Sequence, residues 1–407
     1  MKRVIYALFL SGIAVTTACH SAPKMEKPVD TNVINQYIED LMTKSTAELP
    51  VWNIEKARAG VKSGWDYIDG CMIMALLEIY ATSNDPKYLQ FADYYEDYRI
   101  ADDGTILGYK KEEWNLDNIN GAKNLLALYA LTKKEKYHKA AAKVYEQIEG
   151  QPRTQEGNFW HKKIYPNQVW LDGLYMALPY YMEYDALFNG GKNASDIYRQ
   201  FKTVREKMRD AKTGLYFHGY DSSKTAFWAD KTTGLSKNFW LRALGWYAMA
   251  LLDSLNKAAD KTSTDWNELR DTFVDLCKSM LAFQDKSGMW WQVPNFPGKG
   301  KNYLETSGSA IFAYSLLKGV RTGILTDEKF REAGKKAFEG IANTYLTTND
   351  GKLSLGGICL VAGLGPEKNP RRNGTFEYYM SEPIVEDDAK GVGPLLLAYT
   401  EMRRLGD

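Results

Sequence analysis

The sequence predicts an all-α fold, an (α/α)6 barrel of six helical hairpins, on three observations. Stretches rich in Val, Ile and Thr with period two are almost absent, while apolar residues recur at helical spacing along the chain. Segments with one apolar stripe alternate with segments apolar on nearly every face. The second kind occurs six times, each time beginning at a Gly. A helix without a wet side has no place at a surface, so these six form an inner ring and the striped ones an outer ring. An open solenoid is the competing arrangement, but it needs capping faces that the sequence lacks.

In order, the inner stretches open with "GCMIMALLEIY" at Gly70, "GAKNLLALYAL" at Gly121 and "GLYMALPYYME" at Gly173. They continue with "GWYAMALLDSL" at Gly245, "GSAIFAYSLLK" at Gly308 and "GPLLLAYTEM" at Gly393. In each, the fifth residue after the Gly is Ala or Leu. Between them run the striped helices: Tyr137, Ala141, Val144 and Ile148 share one face, then Ile197, Phe201, Val204 and Met208, then Leu269, Phe273, Leu276 and Met280. The longest loops fall near 285–302 and 348–386. No linker or low-complexity stretch interrupts the chain, so 32–407 reads as a single catalytic domain.

Composition narrows the function. Of 407 residues, 52 are basic and 51 acidic, so nothing favours nucleic acid and any attraction to a charged ligand is local. The 27 Tyr and 11 Trp supply rings for stacking on sugars, although core packing also uses them. "MKR", an apolar run and "TTAC" read as a lipoprotein signal peptide, 1–18, with Cys19 lipidated and 19–31 a tether. The expected placement is periplasmic, with the lipid on Cys19 as the only membrane attachment and the outer surface left open. Cys71, Cys277 and Cys359 are scattered, and the four His lack ligand spacing. No disulfide framework, metal, cofactor or obligate protein partner is expected.

If the inner helices are parallel, their N-termini open at one end. The residues around them then converge: Asp69, Asp117, Asp172, Arg242, Glu305 and Asp388, with Trp65, Tyr67, Trp114, His161, Trp170, His218 and Tyr379. Such a concave end suits a carbohydrate, and six helix N-termini with Arg242 favour an acidic sugar. An Asp at a helix start is ordinarily a cap. Aromatic surroundings and a shared cleft set Asp117 and Asp172 apart.

The motifs "NLDNINGAKNLLALY", "VWLDGLYMALPYYMEY", "GLYFHGYD", "FWLRALGWYAMAL", "NYLETSGSAIFAYSLLKGV" and "EYYMSEPIVEDDAKGVGPLLLAY", in this order, resemble those of the unsaturated rhamnogalacturonyl hydrolases, glycoside hydrolase family 105. The resemblance spans essentially the whole chain after the leader; "NGAK" at 120–123 departs from an expected "NPGR". It implies a hydrolase acting on oligosaccharides that end in a 4,5-unsaturated uronic acid, by hydration of the vinyl ether. Asp172 is then the general acid and base and Asp117 its partner, holding Asp172 protonated by like-charge repulsion. Arg242 binds the substrate carboxylate and Trp246 is a stacking platform. His218 hydrogen-bonds the sugar, and His161, Lys162, Trp170, Met176 and Tyr67 line the site. Glu305 has either a structural or a functional part. An inverting glycosidase or epimerase on the same fold, a related unsaturated glucuronyl hydrolase, and a non-catalytic sugar-binding lipoprotein are the rival readings.

Overall fold

The computed structural model describes residues 31–406; the expected leader 1–18, Cys19 and all of the tether except Thr31 lie outside them. The helices are α1 (Thr31–Thr43), α2 (Ile54–Ala59), α3 (Tyr67–Ser83), α4 (Pro86–Asp97), α5 (Ala122–Thr132), α6 (Glu135–Gly150), α7 (Leu171–Phe188) and α8 (Ala194–Met208). They continue with α9 (Leu241–Lys257), α10 (Thr264–Leu281), α11 (Thr306–Arg321), α12 (Glu328–Tyr345), α13 (Phe376–Ser381) and α14 (Ala389–Leu405).

Helices α3, α5, α7, α9, α11 and α14 pack each on the next, and α14 returns to α3. That last contact closes the ring and excludes the solenoid. Helices α4, α6, α8, α10 and α12 back α3, α5, α7, α9 and α11 in turn. The sixth outer position belongs to α1, where Asn35 accepts a 3.0 Å hydrogen bond from Tyr399 of α14. The first helix thus fastens the last. The outer stripes read from the sequence all face inward: Tyr137, Ala141, Val144, Ile148, Ile197, Phe201, Val204, Met208, Leu269, Phe273, Leu276 and Met280 are buried.

The loops carry six short strands that the sequence pattern did not announce. β1 (Gln168–Trp170) pairs antiparallel with β2 (Gly219–Asp221), β3 (Leu346–Asn349) with β4 (Lys352–Leu355), and β5 (Ile358–Cys359) with β6 (Ile384–Val385). None exceeds four residues, too short for a period of two to register.

The repeated Gly marks the seams of the ring more than the helix starts. Gly245 and Gly308 are the fifth and third residues of their helices, and both lie on the seam between α9 and α11. A Cβ on Gly308 would come within 2.4 Å of Leu241 Cγ, and one on Gly245 within 3.0 Å of Ile311. On the seam between α14 and α3, a Cβ on Gly393 would sit 2.8 Å from the Cys71 carbonyl oxygen. Six nearly all-apolar helices close into a ring only where their backbones approach this tightly. At "NGAK", Gly121 is the N-cap of α5, which is 11 residues long, against 16 to 18 in the other inner helices.

A second repeated device sits at the mouth, where the inner helices begin. The first amide of α7 donates to His218 O (3.1 Å), that of α9 to Gln292 O (3.0 Å), that of α11 to Gly357 O (2.9 Å) and that of α14 to Trp52 O (2.9 Å). Ahead of α5, Leu116 N donates to His161 O at 3.0 Å. Asn120 completes the circle through its side chain, donating to Tyr67 O at 3.2 Å. Each helix start is therefore tied to the loop that leads into its neighbour, and amides that a helix leaves unsatisfied find partners.

Gly308→Ala tests the seam. Helix propensity favours Ala by about 1 kcal/mol, while overpacking against Leu241 costs about 1–3 kcal/mol. The expected net result is a less stable protein in chemical denaturation; equal or greater stability would show that the seam is not tight.

Candidate active site

Several carboxylates gather near the mouth, and Asp66, Asp69, Glu305 and Asp388 serve the fold. Asp69 accepts from Trp52 Nε1 (3.0 Å), Asn53 Nδ2 (3.1 Å) and Ser63 Oγ, and lies 3.6 Å from Arg99. Glu305 caps α11, accepting from Ser307 N (3.0 Å) and Gly308 N (2.7 Å), and also receives Cys359 N of β5 (3.0 Å). Asp388 caps α14 through Lys390 N (2.9 Å) and pairs with the buried Lys390 ammonium at 3.2 Å.

Asp117 and Asp172 cap nothing. Asp117 lies in a 3-10 turn, Leu116–Ile119, whose cap is Asn115. Asp172 is in the first turn of α7, whose N-cap is Trp170, with no side-chain cap at all. The same holds for α5 and α9, begun by Gly121 and Trp240, whereas α3, α11 and α14 are capped by Asp66, Glu305 and Asp388. Helices α5, α7 and α9 are neighbours. One half of the mouth is capped by its own acids, and the other half has N-termini without side-chain caps beside Asp117, Asp172 and Arg242.

Asp117 has a cation of its own: Lys162 Nζ is 2.5 Å from Oδ2. Burial works against ionisation, but Lys162, then His161 and more weakly Arg372, outweigh it and hold the carboxyl below its usual range. His161 Nε2 lies 3.8 Å from Oδ1. Burial pushes that imidazole down to about 4, so it is neutral at neutral pH and gives Asp117 no full charge. Asp117 is thus a carboxylate neutralised by a lysine, and the repulsion it can exert on Asp172 is correspondingly small.

Asp172 is differently placed. Its Oδ2 is buried, accepts no hydrogen bond among the described residues, and lies 3.2 Å from His218 Nε2, which is equally unpartnered. The other ring nitrogen, Nδ1, is 2.8 Å from the Tyr379 hydroxyl. The hairpin of β1 and β2 sets this geometry, since Trp170 pairs with Gly219 and places Asp172 and His218 beside each other.

Trp170 touches the imidazoles that lie beside both acids. It stacks on His161 (centroids 4.4 Å apart) and Tyr165 (4.6 Å) and meets His218 edge-on at 5.7 Å. Trp228 and Leu364 bury its far side. Arg242 lies over Trp240 at 4.7 Å and donates to Ser307 Oγ (3.2 Å), Cys359 O and Leu360 O (3.3 Å), with Nε left unpaired. Tyr67 lies within electrostatic reach of both Arg242 and Asp117.

Four other expected residues are packed against the protein itself. Trp246 is 1% exposed and stacks on Tyr175 at 4.8 Å and 9°, so one face of its ring is already taken. Met176 is also buried. Trp114 packs against Gly150 at the end of α6, and Trp65 against Gly121, donating its Nε1 to Asn118 O at 2.6 Å. Two contributors were not anticipated, Tyr165 and Arg372. Arg372 lies in the "PRRNG" loop, where neither spacing nor periodicity distinguishes it from a solvated arginine. A groove of about 650 Å³ between α8 and α10 is on the outside of the barrel and includes none of these residues.

The arrangement joins a partly buried carboxyl facing an imidazole, a second carboxylate paired with a lysine, and aromatic walls. That is equipment for moving a proton onto and off a sugar. The chain matches the model of Glycosyl Hydrolase Family 88 over residues 37–406. A solved family 105 glycoside hydrolase from C. acetobutylicum ATCC 824 is similar at 40% identity and a TM-score of 0.84, covering 92% of this chain and 99% of that one. Protein Atu3128 of Agrobacterium fabrum is 42% identical over 230 residues, 56% of this chain and 97% of that protein. Unsaturated rhamnogalacturonyl hydrolase YesR of Bacillus subtilis is 25% identical over 259 residues, 62% of this chain and 70% of that protein. Matched nearly end to end by the family 88 model and by a family 105 structure, the chain belongs to the family 88 and 105 glycoside hydrolases.

Proposed function

We propose that the protein releases a terminal 4,5-unsaturated uronic acid from oligosaccharides by hydrating the C4=C5 vinyl ether, with Asp172 as general acid and base. The observation that carries this is the Asp172 carboxyl: partly buried with Oδ2 enclosed, capping nothing, and facing His218 Nε2 at 3.2 Å. The name of the B. subtilis relative supports the substrate class. Asp172 transfers its proton to C4, and positive charge develops at C5 and the ring oxygen. Water then adds to C5 while its proton returns to Asp172, and the hemiketal opens to release the next sugar.

The charge on C5 needs a fixed negative partner, and Asp117 is suited to it. Lys162 keeps Asp117 ionised despite burial, so its field is present before the reaction begins. Asp117 therefore assists as an electrostatic partner more than as a group repelling the charge of Asp172. Arg242, at the start of α9, supplies the cation for the uronic carboxylate, and Trp170 offers an apolar wall.

Oligosaccharides made by polysaccharide lyases should lose their ultraviolet double-bond absorbance on incubation with the protein. Saturated counterparts should survive; turnover of both at similar rates would remove hydration as the mechanism. Asp172→Asn should lower kcat by about 10²–10⁴-fold while substrate still binds, and calorimetry alongside steady-state kinetics separates the two. A variant with near-normal kcat would take the acid role from Asp172. Lys162→Met should move the titration of Asp117 to higher pH, because burial then acts without its nearest opposing cation. Carbon-13 NMR of labelled aspartate reads that shift, and an unmoved titration would show that Lys162 does not hold Asp117 ionised.

A further inference from the structure

His218 touches two groups, and the count of protons between them decides what it can do. Its ring is fully buried, with Nδ1 2.8 Å from Tyr379 Oη and Nε2 3.2 Å from Asp172 Oδ2. Neutral imidazole carries one N–H and one lone pair, and a phenol carries one proton to donate. Tyr379 is also fully buried, and its hydroxyl has no other hydrogen-bond partner among the described residues.

Two arrangements are possible. If Nδ1 holds the proton, it donates to Tyr379, the phenol hydrogen is left buried without an acceptor, and a bare Nε2 faces Asp172. If Tyr379 donates to Nδ1, the phenol hydrogen is paired and Nε2–H faces Asp172 Oδ2 off line. The first leaves the buried phenol hydrogen with no acceptor in reach, whereas the second pairs it and leaves Nε2–H off line but 3.2 Å from a carboxylate oxygen, so the second is favoured. Burial also holds the phenol of Tyr379 well above its ordinary range, so its proton stays in place.

We propose that Tyr379 is a positioning residue: its hydroxyl donates to His218 Nδ1, fixes the Nε2–H tautomer and aims that N–H at Asp172 Oδ2. The proposal rests on the reading of Asp172 as the acid. When the Asp172 O–H bond breaks and the C4–H bond forms, the new carboxylate receives a hydrogen bond already pointing at it. The same N–H stays in place while Asp172 takes the proton of the attacking water. His218 neither gains nor loses a proton; it stabilises charge that exists only after the transfer begins. The off-line contact in the free protein suits this, because such bonds tighten as charge develops.

The chain has only four His, so imidazole nitrogen-15 spectra of labelled protein are simple to assign. His218 should show the Nε2–H tautomer in the wild type. In Tyr379→Phe, which keeps the ring that packs near Trp240 and Tyr378, it should shift toward a mixture of tautomers. In that variant kcat should fall about 10- to 100-fold, the range seen when a hydrogen bond orienting a functional imidazole is lost, with KM within about twofold. The loss should vanish in a His218→Gln background. A wild-type His218 protonated at Nδ1 overturns the proposal, even if Tyr379→Phe folds poorly. So does a Tyr379→Phe protein with unchanged tautomer and kcat. The spectra need no substrate, so failure of the hydration reading, seen as an Asp172→Asn enzyme that still turns over, stays distinguishable from failure of the tautomer assignment.

Discussion

The circle of lateral hydrogen bonds at the mouth is the constraint on which the site depends. It ties the amides of Leu116, Leu171, Leu241, Thr306 and Ala389 to carbonyls of the neighbouring loops. Asp117, Asp172, Arg242 and Ser307 each follow one of those anchored residues directly in the chain. His161 and His218 are themselves the acceptors. A side chain one bond from a fixed amide has little freedom beyond its own rotamers. Loops between helices would otherwise be the least ordered part of an α-helical protein. Here they are stitched as firmly as a sheet edge, so groups distant in sequence keep their separations.

Within that circle the acids divide according to what the helix beside them needs. Asp66, Glu305 and Asp388 satisfy the amides that open α3, α11 and α14. Their charge is spent on fixed partners and is unavailable to a ligand. Helices α5, α7 and α9 begin without a side-chain cap, and their positive ends point into the mouth. The half of the barrel that is less well satisfied by itself holds the proposed chemistry.

Much of this was legible in the sequence because the barrel repeats. Two helix classes and the six Gly stretches gave the ring, its order and its open end, since a helix without a wet face can only be interior. The exact service of the Gly was not legible, because a helix start and a tight seam ask for the same residue. Nor could local pattern separate Asp388, a cap, from Asp172, which caps nothing. Both are acids at a helix start, and the difference lies in whether the carboxylate turns back to its own amides. Lys162 stands 45 residues from Asp117, and Tyr379 161 residues from His218. No spacing rule reaches that far. Trp65 and Trp114, placed at the mouth by their position in the chain, fill space against Gly121 and Gly150 instead.

Arg242 shows how the capped half serves the uncapped one. Its guanidinium is fully buried and already donates to the carbonyls of Cys359 and Leu360. Cys359 N in turn donates to Glu305, the acid that caps α11. Glu305 therefore holds β5, and β5 holds Arg242 in one orientation, with Nε still unpaired. A cation this deeply buried is costly to keep, and Glu305 and Asp388 lie within electrostatic reach to help hold it charged. In the proposed reading, a uronic carboxylate would meet a guanidinium that loses little side-chain freedom on binding it. The structural and functional readings of Glu305 are thus two descriptions of one chain of contacts: the residue caps a helix, and by capping it fixes the loop that orients the arginine.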